Sequence, residues 1–491
     1  MANHALLRVF ALLALLLGSG WLSGCKEGAS GGEERIVSGG SGSQTGGAAG
    51  VVLLVDRDSP VASDANNGVP VAQGGQGPLR SIRAALALAR PGDHIRIRAS
   101  LTPYQEADPA DAFGPGGIRM RQGGLAGSPI VIEGFPGERP VLDQQRSALD
   151  VGAPVAGFVL ECVSHVTIRR LEIRNVNEAG VTTSLIGCAS SDITLEDLHI
   201  HQVHAASQAA GIRLADTSNA IVRNNLIHDV VSHGIDALSV GQLTQQVDSV
   251  GNLIENNTIR NVEVGVHLRG EGAGETLRDT TIQYNRVSVA DSAIRLSTQA
   301  ASETRLLNTT IHANVLAASN VAVEVDMGGA LVQSSGLGLS SNTYAALDVA
   351  LKLAGISEVA LFNSIFADIA DAFLITLVPG GPVVNGFVLY DFNLYDRNNG
   401  AWSLNESPLT PGCPANPACA TSFDDWRVAA VVSGEVDGDA DLASRVGEPL
   451  FIDPAVADYR LQPGSPAHGI ASHGGEVGAH GDGIEPGATP K

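Results

Sequence analysis

The sequence predicts an all-β chain, a right-handed parallel β-helix (a solenoid) closed by an N-terminal capping helix and a loop-rich C-terminal cap. Three observations predict it. The pattern apolar-x-x-Asn-x-apolar recurs along the chain, a small residue followed by alternating apolar positions comes about eight residues after each copy, and helical periodicity is confined to one short segment.

The pattern reads IVRNNLI, LIENNTI, TIQYNRV, TIHANVL, GLSSNTY, VALFNSI and LYDFNLY, placing asparagines at Asn225, Asn257, Asn285, Asn314, Asn342, Asn363 and Asn393. Two earlier copies, TIRRLEI and TLEDLHI, place Leu171 and Leu198 in that slot. Repeats of roughly 21 to 32 residues suit one β-coil each, stacked about 4.8 Å apart by parallel pairing. Leucine-rich repeats have a similar length but lack the Asn turn. A column of inward asparagines would satisfy turn backbone that burial leaves without water. The second strand of each coil begins at Gly180, Gly211, Gly234, Gly265, Ala293, Ala322, Ala350 and Ala372.

Two outward columns follow from the period of two. One comprises Thr182, Arg213, Asp236, His267, Arg295, Glu324, Lys352 and Leu374; the other comprises Arg174, His201, His228, Arg260, Ser288 and Ala317. They are expected on adjoining faces around one bend.

The ends of the solenoid need covers. In SIRAALALARPGD, the residues Ile82, Ala85, Leu86 and Ala89 make an apolar helical stripe that Pro91-Gly92 terminates before the strand HIRIR. Ahead of this lie an apolar run from Val9 to Leu17 and the residues Leu22-Ser23-Gly24-Cys25, which read as a signal peptide. The tetrapeptide resembles the bacterial lipobox. That resemblance implies lipidation of Cys25, and Lys26, where an inner-membrane retention aspartate would sit, implies the outer membrane. The expected divisions are a signal peptide at 1–24, a Gly/Ser-rich tether at 25–50, the β-helix with its N-terminal cap at 51–400 and a C-terminal capping region at 401–491. Five cysteines leave one odd member for the anchor, and the other four fall into sequence-close pairs, Cys162 with Cys188 and Cys413 with Cys419. Cys162 and Cys188 occupy nearly the same place in successive coils, within disulfide reach.

The runs PLRSIRAALALARPGDHIRIR, SPIVIEGFPGERPVLD and EPLFIDPAVADYRLQPGSPA resemble bacterial right-handed β-helix proteins of the pectate-lyase-like superfamily. The resemblance covers nearly all of the chain after Val51. It implies the fold, and a role directed at polysaccharide in a superfamily that also contains adhesins and inert scaffolds.

The net charge of −22 excludes a basic nucleic-acid footprint, and 4% aromatic residues leave little for stacking sugars. The two columns read either as a mixed-charge solvated face or as a groove for an acidic polysaccharide, where proton abstraction from uronate needs a base near the sugar carbon and cations at its carboxylate. His228, His267 and Lys352 are the candidate bases. Arg213 and Arg260 are the candidate cations of the catalytic set, and Asp236 beside His233 and His267 is expected to raise a histidine pKa. Arg174, His201 and Arg295 are candidate substrate-binding residues. SHGID at Ser232–Asp236 resembles a segment of alginate C5-epimerases, with Ala237-Leu238 where that family has Pro-His. A glycosidase pair is not expected, because Asp236 and Glu324 stand three rungs, about 14 Å, apart. The functional expectation is an envelope-anchored protein acting on or binding polysaccharide, as a lyase or C5-epimerase of uronate-containing glycan, or else as a non-catalytic scaffold or glycan-binding lipoprotein. Its membrane contact would be through the N-terminal lipid only.

No cofactor is expected. Calcium is considered at Asp437, Asp439, Asp441 and Glu448, where Leu442 replaces the glycine of a calcium loop. His199 and His201 share a strand face and with His228 would suit a transition metal, but no supporting pattern is legible, and no metal ligand is assigned.

Overall fold

A computed structural model describes residues 50–486, apart from 71–75, 111–114, 148–151, 184–187, 205–207, 241–247, 272–275, 299–303, 328–333, 377–386, 397–401, 405–418, 421–441 and 482–485. The expectations for the signal peptide, the tether, Cys25, Cys413 and the calcium candidates Asp437, Asp439 and Asp441 fall outside the described residues.

The fold is a right-handed parallel β-helix. Successive coils lay their first strands side by side, from Val52–Val55 through Ser164–Arg169 and Leu253–Glu255 to Phe387–Asp391, in one parallel sheet. Their second and third strands form a larger sheet that bends at the corner between the two columns. In early rungs the two faces are separate strands, such as His199–Val203 and Ala210–Ala215; in later rungs one twelve-residue strand, Val315–Asp326 or Thr343–Ala354, runs through both.

The core is a set of vertical apolar stacks. Ile168, Leu195, Val222, Ile254, Ile282 and Ile311 are fully buried one above another, and the upper rungs stack Tyr344 on Phe366 on Tyr395 at centroid spacings of 4.7 and 5.0 Å. The asparagine column runs beside them. The Asn257 side chain accepts from the backbone N–H of Asn225 at 3.0 Å and donates to the Val222 carbonyl at 2.9 Å and to Asn285 at 3.0 Å, and Asn285 and Asn314 repeat this pattern. Each asparagine thus replaces water for turn groups sealed from solvent.

One register differs from the sequence expectation. Asn363 is not in the column; Ser364 is, accepting from the Asn342 N–H at 3.2 Å, while the Ser364 N–H donates to Asn393 at 3.0 Å. Asn363 takes the position before the slot, with φ 57°, matching Asn224, Asn256 and Tyr284 before their slot residues. Asparagine tolerates this left-handed geometry, and the serine hydroxyl performs the acceptor role.

The glycines that open the second strands are required by contact, not by backbone angle. A Cβ on Gly211 would meet the Gly234 carbonyl oxygen at 2.6 Å and Ile227 at 2.5 Å, and one on Gly234 would meet Gly265 and Ile259 as closely. Cys162 and Cys188 are joined across adjacent coils with Cα atoms 5.4 Å apart.

The helix Ile82–Leu88 is capped by Ser81, whose hydroxyl accepts from the Ala84 N–H, and buries Ile82 and Ala85 on the first coil. The C-terminal segment lies along the flank of the solenoid. Ala467, Ile470, Ala471 and Val477 pack on Ile365, Ala367 and Leu394, while Tyr459 and Ala479 pack on Val315, Ala317 and Ala345. Ala317, Ala345 and Ala367 are successive members of the second column, so its late rungs are covered and only its early rungs remain open.

Candidate functional site

Both columns are in the predicted register. Thr182, Arg213, Asp236, His267, Arg295, Glu324, Lys352 and Leu374 pair rung to rung, as do Arg174, His201, His228, Arg260 and Ser288. Their environments, however, differ from a solvated face.

Arg213 is 3% exposed and Asp236 is sealed from solvent. The Asp236 carboxylate accepts from Arg213 Nε at 3.2 Å and from Arg269 Nε and Nη2 at 2.8 and 3.0 Å. Arg213 also bonds Glu178 and the Gln208 carbonyl, and Arg269 bonds Glu271. Burial alone would raise the Asp236 pKa, but the Arg269 hydrogen bonds and the surrounding positive charge outweigh it and hold it at about 2.

Higher on the column, Glu324 accepts from Arg295 Nε at 2.7 Å, Lys352 Nζ at 3.0 Å and Ser292 at 2.7 Å, and Arg295 reaches Asp291 at 2.5 Å. Burial opposes ionisation of Glu324, but these bonds hold its pKa at about 2. The four cations Arg213, Arg269, Arg295 and Lys352 thus face the five carboxylates Glu178, Asp236, Glu271, Asp291 and Glu324.

Asp236 acts on both histidines in the expected raising direction, but the net shift of each is downward. Burial lowers His267 to about 3 and lowers His233; the positive charge His233 would carry, with Arg269 and Arg295, also opposes Asp236 at His267, and Arg269, Arg213 and Arg295 oppose it at His233. His267 Nδ1 lies 3.1 Å from His233 Nε2, and its Nε2 lies 2.8 Å from Ser297 Oγ, so the neutral ring is held on both sides. Lys352, the candidate lysine base, is ion-paired to Glu324, although its side chain is 46% exposed.

On the second column, His201 stacks on His228 with centroids 5.1 Å apart and planes 11° from parallel, and His199 stacks on His201 at 4.5 Å. His199 Nε2 is 2.8 Å from His228 Nε2, His228 Nδ1 is 2.8 Å from Asp229, and His201 Nε2 is 3.3 Å from Glu172. Arg174 is held by Asp143 at 2.9 Å and Glu172 at 3.0 Å. Burial, reinforced by the positive charge His201 would carry, lowers His199 to about 4. Arg260 is exposed and makes no hydrogen bond or ion pair with any described residue. The surface beyond it is an open depression lined by Val230, Asn261, Val262, Glu263, Ser288 and Val289.

Sequence reasoning missed Arg269, Glu172, Glu178 and Glu271. Arg269 was within its reach: it stands two residues after His267, hence on the same face of the same strand. Glu172 likewise stands two residues before Arg174. Glu178 and Glu271 lie at strand ends, where the period of two gives no signal.

Residues 156–343 match the family model described as the right handed beta helix region. No curated protein matches the sequence. Among solved structures, the lacto-N-biosidase of family GH136 from Eubacterium ramulus is similar at 15% identity over 71% of this chain and 67% of that one, with a TM-score of 0.46. Pectate lyase Pel9A is similar at 14% identity over 88% and 96%, with a TM-score of 0.47. An exopolygalacturonase from Thermotoga maritima is similar at 10% identity over 65% and 78%, with a TM-score of 0.44.

Proposed function

We propose that the protein is a glycan-binding β-helix of the bacterial cell envelope that holds an extended polysaccharide along its bent sheet without cleaving it. The observation that carries this reading is the pairing of the first column. Uronate lysis or epimerisation needs an unengaged base and cations free to meet a substrate carboxylate. Here Arg213, Arg269, Arg295 and Lys352 are already bound to carboxylates, and His267 is buried and held.

What the face offers instead is a rigid row of hydrogen-bonding groups repeating about every 4.8 Å, a step comparable to a sugar ring, along the open early rungs from Arg174 to Arg260. The excess of carboxylates on the first column and the chain's net charge of −22 would repel a polyanion, so a neutral or sparsely charged glycan fits better than a polyuronate. The likeness of the capping segments to pectate-lyase-like proteins supports a carbohydrate partner. Lipidated Cys25 and the Gly/Ser-rich stretch after it would tether the β-helix to the outer membrane.

The test is affinity electrophoresis of the purified protein through neutral and acidic polysaccharides, beside an ultraviolet assay for unsaturated products and an analysis of uronate composition. Retardation by a neutral glycan with no product is expected. Product from any uronate glycan would restore the lyase or epimerase reading, and no retardation by any glycan would leave a scaffold. For the anchor, Cys25→Ala should move the protein from the membrane fraction to the soluble one; retention of the variant in membranes would refute lipid anchoring.

A further inference from the structure

Two groups of described imidazoles crowd together; His233 and His267 share theirs with Asp236, whose oxygens Arg213 and Arg269 already occupy, whereas the second column's histidines have no such cation among them. Along the first column, from Arg213 to Lys352, the cations meet carboxylates. On the second, three imidazoles crowd together on adjacent rungs, with ring centroids 4.5 to 5.1 Å apart, and one carboxylate, Glu172, stands beside them on the rung below.

We propose that Glu172, His199 and His201 form a binding site for one divalent transition-metal ion, for which Zn²⁺ is the best fit, with His228 as the hydrogen-bonding partner that orients His199. One donor atom from each of Glu172, His199 and His201 lies within 4.8 Å of the others. Donors at the zinc distances of about 2.0–2.2 Å would lie roughly 3.3–3.6 Å apart on a tetrahedron. The separations of 3.3 Å between His201 Nε2 and Glu172 Oε1 and 3.9 Å between His199 Nδ1 and Glu172 Oε2 lie within a few tenths of an ångström of that. Ring rotations on these partly exposed side chains would close the difference.

Two further features suit a metal rather than a hydrogen-bonded stack. The Asp229 carboxylate lies against His228 Nδ1, which holds the proton there and leaves the Nε2 lone pair to accept from His199 Nε2–H, so that His199 Nδ1 faces Glu172 as a lone-pair donor. Arg174, which shares Glu172, has a second partner in Asp143, so Glu172 can turn to a metal without stranding a cation. Imidazole-rich donor sets select zinc, copper or nickel over calcium or magnesium, which prefer all-oxygen sites. The strands that carry the donors pair in register from Glu172 to His199 and from Arg174 to His201 to His228, so the site rests on the most regular part of the solenoid.

The test is isothermal titration calorimetry of the full, tag-free chain after chelator treatment, with Zn²⁺ as the probe, together with the visible spectrum of the Co²⁺-loaded protein. The expected result is one Zn²⁺ per chain and a tetrahedral Co²⁺ absorption band. His199→Ala and His201→Ala should each weaken binding by about 100-fold and abolish the band, and His228→Ala should weaken it by at least about tenfold. The exposed His473→Ala should change nothing. Glu172→Gln, which keeps size and hydrogen-bonding capacity, covers the case in which an alanine variant fails to fold. No stoichiometric binding, or binding that Glu172→Gln and His201→Ala leave unchanged in folded protein, would overturn the proposal.

Discussion

Replacing Asp236 with leucine would leave two buried guanidiniums short of the carboxylate they share. Arg213 and Arg269 are 3% and 8% exposed, and each retains one acidic partner, Glu178 and Glu271 respectively. Removing one partner from a buried ion pair costs about 3–5 kcal/mol, and the retained carboxylates place this case near about 3 kcal/mol. In a solenoid each coil contacts only its neighbours, so the loss should appear locally before it appears in global unfolding. The suitable assay is native-state hydrogen exchange of the strands His233–Ser239 and Val264–Gly270, whose amides pair across this site. At about 1.4 kcal/mol per tenfold change, their protection should fall by roughly 150-fold, with the strands around Ile356–Phe362 unchanged. The triple replacement Arg213→Met, Asp236→Leu, Arg269→Met removes the stranded cations and should recover much of the loss. The pH dependence follows with a definite sign. Because folding lowers the Asp236 pKa from 3.8 to about 2, its contribution is fully present above the unfolded value and is lost as the pH falls through the folded one. Wild-type protein should therefore lose roughly 2 kcal/mol between about pH 4 and pH 2 that Asp236→Leu does not lose. Unchanged exchange in the single variant would show that Arg213 and Arg269 re-solvate freely, and would refute the sealed-network reasoning.

Gly234→Ala should destabilise by about 2 kcal/mol in thermal melting, because its Cβ would lie 2.6 Å from the Gly265 carbonyl oxygen and 2.5 Å from Ile259, with rigid neighbours on both sides. A melting temperature equal to wild type would mean the stack can spread. Asn285→Ala strips acceptor or donor partners from Asn257, Ile254 and Asn314 and should cost about 3 kcal/mol in urea denaturation, whereas Asn363→Ala loses only its bonds to Ser472 and should cost about 1 kcal/mol. Equal losses in the two variants would argue against the column register. Reducing the Cys162–Cys188 bridge, which closes a separation of 26 residues, should lower stability by about 3 kcal/mol, measured by thermal denaturation with and without reductant. A melting curve indifferent to reductant would show that this bridge does not constrain the unfolded chain.

Much of the architecture was legible from local chemistry. The alternation of GIRL, GIDA and GVHL states which side chains face outward, and parallel in-register stacking carries that alternation into vertical columns, which is why Arg213, Asp236, His267 and Arg295 align as expected. The slip at Asn363 has an equally local cause. The run FNS offers an asparagine one residue early and a serine able to do the same work, and only the sign of φ separates the two. The nature of the first column was not legible. An outward charged residue on a strand is ordinarily solvated, and nothing in the repeat shows that Glu178 and Glu271, from strand ends, converge on Arg213 and Arg269. The direction of the histidine shifts depended on that same burial. The column places Arg213 and Arg295 beside Asp236 and His267, but not Arg269, whose guanidinium takes up the Asp236 charge.

By itself, the sequence determined the coil, its period, the asparagine column apart from one register and the residues available to each face. These depend on backbone geometry that repeats with chain position. The tertiary structure decided which of those residues remain available for chemistry. It paired the first column's cations, buried His267, covered Ala317 and Ala345 with the C-terminal segment, and gathered Glu172, His199 and His201 into one cluster beside His228. The reason is physical: solvation and charge pairing depend on every group within a few ångströms, and those groups come from distant parts of the chain that no local period connects.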